Sequence, residues 1–212
     1  AASDVYKRQV YLHRAGEHRT GGVSDEPLFR TLRPWLRERF GRPVHRVALD
    51  AGSTCPNRDG TKGRGGCTYC DVEGSGTGAL RSGQSIARQL EEGIRRVRRR
   101  DPDPGVIAYF QSYTNTYVDE ARLDEVLGAI EPFLGDPVAC VSLATRPDTL
   151  PKPALERLAR LAERVPVWVE LGLEAADDRI LDEINRFHTV AHFHDAVRRC
   201  HAAGLECVGH AI

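Results

Sequence analysis

Residues 55–70 read CPNRDGTKGRGGCTYC, and the reading of the rest of the chain follows from them. Cys55, Cys67 and Cys70 stand in a C-x11-C-x2-C pattern. The stretch between the first two is polar and carries Gly60, Gly63, Gly65 and Gly66, which excludes a packed strand or a regular helix. A loop that returns to a C-x2-C pair can wrap three thiolates around one metal centre. A closed structural zinc or iron–sulfur site normally takes four protein ligands. Three leave one coordination position for a small molecule, so this loop is the candidate active site.

Working outward, the 212 residues suit one domain, or one with a short extension. Hydrophobic content of 41% and charged content of 28% are those of a soluble globular chain. Lys+Arg and Asp+Glu are both 30, which excludes a surface that tracks nucleic acid all round but not a local basic patch. No apolar run approaches the ~18 residues needed to span a membrane. The opening AASDVYKRQVYLHRAGEHR lacks the apolar core of a secretory signal, so a cytoplasmic location is expected. Six cysteines in a chain long enough to build its own core fit three clustered thiolates and three structural thiols (Cys140, Cys200, Cys207) better than a disulfide framework. Methionine is absent even at position 1, AASDVYKRQ reads as carried-in sequence, and ECVGHAI ends inside an apolar run; the expectation is a fragment cut at both ends.

Residues 1–43 read as a tail followed by a leading helix over 24–40, broken or restarted at Pro34 and ended by Gly41. Apolar strands are expected at 44–51, 106–110, 138–144, 165–173 and 207–212. Helices alternate with them, capped by Ser85 and Asp119, opened by Pro153, and stopped by Gly204. Strand–helix alternation implies parallel strands with right-handed crossovers. That order alone does not separate a barrel from a doubly wound sheet. Either architecture puts its site at the C-terminal ends of the strands, where QSYTNTY, TRPD and ELGLE fall.

Taken with the strand before it and the aromatic inside CTYC, the cysteine pattern resembles the radical S-adenosylmethionine (SAM) superfamily. The usual spacing there is C-x3-C-x2-C. The widened first gap is similar to that of the branch holding the elongator catalytic subunit and its uncharacterised bacterial relatives. Five stretches carry this likeness: GSTCPNRDGTKGRGGCTYC (52–70), YFQSYTNT (109–116), ATRPD (144–148), ELGLEAADDRILDEINRFHT (170–189) and GLECVGHAI (204–212). The resemblance implies a partial (βα)6 TIM-like barrel over 44–212, its C-terminal strand missing. It implies a 4Fe–4S cluster on Cys55, Cys67 and Cys70, with SAM on the fourth iron. An external donor of flavodoxin or ferredoxin type would supply the electron that cleaves SAM to a 5′-deoxyadenosyl radical. The substrate is unknown, with RNA a candidate. Two positions depart from the branch: Phe187 stands in place of Gly, removing a residue suited to positive φ, and Glu174 in place of Gln, adding a charge near any bound SAM.

The resemblance makes Tyr69, Gln111, Ser112, Arg146, Glu170 and Glu174 the candidate SAM contacts, with Tyr113 beside them. Arg146 suits a carboxylate, or else makes a surface pair with Asp148. Glu170, inside the apolar VWVELGLE, needs a partner: ribose hydroxyls, Arg146 or a structural ion pair. Competing readings of the cysteines are a zinc site completed by a histidine such as His45, an electron-transfer protein that only holds a cluster, and an inactive fragment. His192 and His194 point apart on their helix, and the arginines near Arg98 form a solvated helix end or an RNA-facing patch.

Overall fold

The computed structural model describes residues 9–11, 31–71, 79 and 83–212. Its elements are β1 (Gln9–Tyr11), α1 (Leu32–Phe40), β2 (Val44–Leu49), α2 (Ile86–Arg98), β3 (Gly105–Phe110), α3 (Glu120–Gly128), β4 (Val138–Thr145), α4 (Lys152–Ala162), β5 (Val167–Glu174), α5 (Asp178–Glu183), α6 (Val190–Ala202) and β6 (Glu206–Ala211). Local chemistry sets these bounds. The side chains of Ser85, Asp119, Asp177 and Thr189 each accept a backbone N–H in the first turn of the helix that follows. Pro34 sits in the first turn of α1, where its missing N–H matters least, so it does not break the helix; residues 24–30 lie outside the described residues.

The sheet order is β1-β6-β5-β4-β3-β2, with β2 to β6 all parallel and β1 antiparallel to β6. Each crossover steps one strand in the same direction, which is barrel winding rather than the reversed order of a doubly wound sheet. The five parallel strands do not close, so the architecture is an α/β partial barrel. Gln9, the last residue of the stretch read as carried-in sequence, pairs with His210 and so belongs to the sheet.

All six residues of β3 are buried, because both faces of the sheet are covered. Val106, Ala108 and Phe110 join the outer core with Leu90 of α2, Leu127 of α3, Leu158 of α4 and Phe193 of α6. Ile107 and Tyr109 turn to the concave face with Cys140, Trp168 and Val208. There α1 seals the N-terminal end of the strands, with Trp35 centred 5.6 Å and Phe40 6.3 Å from the Trp168 ring. Beyond Trp168 the concave positions turn polar, and the cysteine loop lies over that end. No helix among the described residues is long and apolar enough to cross a membrane.

Candidate active site

The loop after β2 is laced by its own backbone. Arg58 N donates to Cys55 O at 2.8 Å, Lys62 N to Pro56 O at 2.8 Å, Gly66 N to Asn57 O at 3.0 Å and Cys70 N to Cys67 O at 3.0 Å. Buried Gln89 of α2 pins its entrance by pairing with both backbone groups of Asp50. The QSYTNT segment does similar work: the Asn115 amide donates to Phe110 O and Ala144 O, joining the ends of β3 and β4. Ser53 Oγ donates to Ser112 O at 3.0 Å.

Residues 184–188 clamp the loop from the far side. Thr68 N donates to Ile184 O, and Asn57 Nδ2 donates to Asn185 O at 2.7 Å while lying 3.3 Å from Cys67 Sγ. A Cβ on Gly63 would come within 2.5 Å of the Phe187 ring, so a side chain there would have to displace that ring. Phe187 holds φ +54 and Glu174 φ +65; with Tyr113 and Asn185 they are the non-glycine residues in the left-handed region among the described residues, and all four border the site. Strain of this kind persists only where surrounding structure over-determines it. The Phe187 departure thus falls where the backbone does require positive φ.

Cys55, Cys67 and Cys70 open on one cavity at the C-terminal end of the sheet, lined also by Tyr69, Gln111, Tyr113, Arg146, Glu170, Glu174, Arg186 and His210. Of the expected contacts, Ser112 alone does not line it; its buried hydroxyl lacks a hydrogen-bond partner. Arg146 is buried, not on the surface. Its fork grips Asp148 at 2.9 Å twice, and Nη2 donates to Arg186 O at 2.8 Å. Lys62 of the cysteine loop also pairs with Asp148. Burial would raise the Asp148 carboxyl, but Arg146 and Lys62 hold it down at about 2. Glu170 accepts from Ser142 Oγ and lies 2.7 Å from His210 Nε2. Burial pushes its carboxyl up; His210, Ser142 and Arg46 outweigh that and lower it. Its partner is therefore His210, not Arg146.

The sequence reading missed two cations beside the sulfurs. Arg58 Nη2 lies 3.3 Å from Cys70 Sγ, with its guanidinium over the Tyr113 ring. Arg186 is buried, 3.8 Å from Cys67 Sγ, 3.2 Å from Gly172 O and 3.6 Å from Glu174 Oε1. Gly172 makes room for that pair: a Cβ there would stand 2.2 Å from Arg186 and 2.5 Å from Glu174. Burial raises the Tyr69 phenol, with Arg186 opposing. Alternation along β5 and β6 was the available signal for His210, since Trp168, Glu170, Val208 and His210 share one face.

His45 lies near the N-terminal end of β2, 3.1 Å from Asp101, so it is no fourth zinc ligand for the loop. His192 caps α6 in a capping box with Thr189. Cys140, Cys200 and Cys207 are buried in the two cores. Among the described residues, no three His, Cys, Asp or Glu side chains converge closely enough for a single ion.

Known proteins share much of this sequence. The chain is 39% identical over 187 residues to the uncharacterized protein YtqA of Bacillus subtilis, covering 88% of this chain and 58% of that protein. It is 36% identical over 178 residues to the protein YhcC of Escherichia coli, covering 84% and 56%. The chain thus spans somewhat over half the length of these curated relatives. The sequence model of the radical SAM superfamily matches residues 54–212, from the first cysteine to the last strand. On that match, and with a partial barrel carrying three cysteines at its mouth, the chain belongs to the radical SAM superfamily.

Proposed function

We propose that Cys55, Cys67 and Cys70 hold a 4Fe–4S cluster and that the cavity beside them binds SAM. The observation that carries this is the convergence of all three thiols on one cavity whose lining also holds Arg146, Glu170, Glu174, Arg186 and His210. A cluster takes each cysteine on a separate iron, so its thiolates stand farther apart than those of a single-ion site. Buried atoms without hydrogen-bond partners remain on the lining: Tyr69 Oη, Arg146 Nη1, Glu174 Oε2 and Arg186 Nε. A bound molecule carrying carboxylate, ammonium and hydroxyl groups would satisfy them. When bound, cluster and SAM supply one-electron reductive cleavage to a 5′-deoxyadenosyl radical.

The chain's own residues orient and enclose. Arg146 offers Nη1 while Asp148 fixes its plane, so it serves a carboxylate as a positioned single donor rather than a free fork. Glu170 and His210 form a paired polar surface on the cavity that would suit hydroxyl groups, and Tyr69 walls the cavity beside its cysteines. An external one-electron carrier of flavodoxin or ferredoxin type supplies the reductant. The elongator-like motifs keep RNA as a candidate substrate. The arginines of α2 (Arg95, Arg96, Arg98) end at the opposite edge of the fold and would hold an RNA away from the reacting centre.

Anaerobic reconstitution should yield about four irons per chain and broad absorbance near 400 nm. Dithionite and SAM should then yield 5′-deoxyadenosine, and Cys67→Ser should abolish both. Iron uptake without 5′-deoxyadenosine would leave a protein that only holds a cluster. A colourless protein with one zinc would overturn the proposal.

A further inference from the structure

Two guanidinium groups reach the cysteine sulfurs, and they differ in exposure. Arg58 approaches Cys70 Sγ at 3.3 Å from the partly solvated rim, where water screens its charge. Arg186 approaches Cys67 Sγ at 3.8 Å from the interior, 8% exposed. Its position is over-determined: Gly172 O accepts from Nη2, Glu174 pairs with it, and Gly172 has no side chain to displace it. A charge held this way in a low-dielectric interior acts strongly on its neighbours. Glu174 pairs with Nη2 while Nη1 approaches the sulfur, and the carboxylate offsets part of that charge.

We infer that Arg186 and Glu174 form an opposed pair that sets the reduction potential of the cluster held by Cys67, with Arg186 raising it and Glu174 damping it. This rests on the cluster reading above. Reduction adds one electron, delivered by the external one-electron carrier, to the cluster and its thiolates, so a nearby cation stabilises the reduced form and a nearby anion destabilises it. Hydrogen bonds to the sulfurs and local charge are general levers on iron–sulfur potentials. Glu174 would make this chain's potential lower than that of an otherwise identical site with an uncharged residue there. Both residues are positioning residues here, acting on the cluster through Cys67.

The test uses the full chain reconstituted anaerobically without SAM, with the midpoint potential read by a redox titration that follows the reduced cluster's paramagnetic signal. Arg186→Gln should lower the ratio of reduced to oxidised cluster at fixed potential at least tenfold, a shift of about 59 mV. Arg186→Lys, which keeps the charge, should shift it less. Glu174→Gln should shift it upward, and Arg58→Gln downward by less than Arg186→Gln. A merely structural role would not give opposite signs for the two partners. An unshifted or raised potential in Arg186→Gln overturns the inference. If Arg186→Gln holds no iron, Glu174→Gln decides: an unshifted or lowered potential there overturns it equally. Failure of the wild-type chain to take up iron overturns the cluster reading instead, and is distinguishable because no titration is then possible.

Discussion

The concave face of the sheet has two ends made from the same strands. At the N-terminal end the inward positions are Ile107, Cys140, Trp168 and Val208, sealed by Trp35, Leu36 and Phe40 of α1. Two residues along the same strands they are Tyr109, Glu170 and His210, facing a cavity with Gly172 two further on, and Ser142, which donates to Glu170. Parity places all of them inside; only their position along the strand differs. Buried carboxylates and guanidiniums are costly without partners, and an all-apolar barrel core would be simpler to stabilise. Their restriction to the cysteine end means that end is shaped for a ligand, while the other supplies the packing that holds it.

If the two ends differ in this way, substitutions should separate stability from binding. Trp168→Ala carries the largest expected cost, roughly 3–5 kcal/mol for emptying an aromatic site in a core. Chemical denaturation should show it, while SAM affinity of the folded fraction stays near wild type. Glu170→Gln keeps the shape but weakens the contacts to Ser142 and His210, at roughly 1–3 kcal/mol. Its larger signature should be weaker SAM binding in calorimetry. Should Glu170→Gln cost as much stability as Trp168→Ala and leave SAM binding alone, the polar end is simply more core and the division fails.

Much of this architecture was legible. Five short apolar runs gave the parallel strands, and Ser85, Asp119 and Gly204 mark helix ends through local chemistry that needs no tertiary context. Barrel winding was not legible from periodicity, because strand order is a long-range property; the family likeness supplied it. The pairing of Gln9–Tyr11 with β6 was hidden in a three-residue strand within a polar stretch. In the site, the three cysteines open on one cavity. Arg186 was not foreseen as a contact, because it reaches Cys67 only through the left-handed turns at Asn185 and Phe187. Ser112 is the candidate contact that does not line the cavity: the chain bends there, with Tyr113 in the left-handed region, and Gln111 and Tyr113 reach the cavity without it.

The polar end should also be the acid-sensitive one. His188 is buried with neither ring nitrogen hydrogen-bonded, and burial, then Arg186 and Arg146, depress it to about 3. The unfolded chain takes up this proton near pH 6.5 and the folded chain only near 3. Stability should therefore fall as pH drops through that window, by up to about 1.4 kcal/mol per pH unit. Asp148, depressed to about 2, adds a further loss from near pH 4 downward as its ion pairs with Arg146 and Lys62 are protonated away. His188→Leu should flatten the upper part of the profile and leave the lower part. A profile unchanged by His188→Leu would mean that this histidine is not held neutral by its surroundings.

The smallest effect probes the seam between loop and clamp. Phe187 combines a side chain packed on Gly63 with a backbone in the left-handed region, so ring and backbone pull in opposite directions. Phe187→Ala removes the ring and keeps the strain of a Cβ at φ +54, and should destabilise. Phe187→Gly removes the ring and the strain together, offset by greater freedom of the unfolded chain. The glycine variant should therefore be more stable than the alanine variant by about 1 kcal/mol, a reversal of the usual order of these residues. Paired denaturation curves decide it: if alanine proves the more stable, position 187 does not hold positive φ in solution. The clamp would then meet the cysteine loop through the Asn57, Thr68 and Arg186 contacts alone.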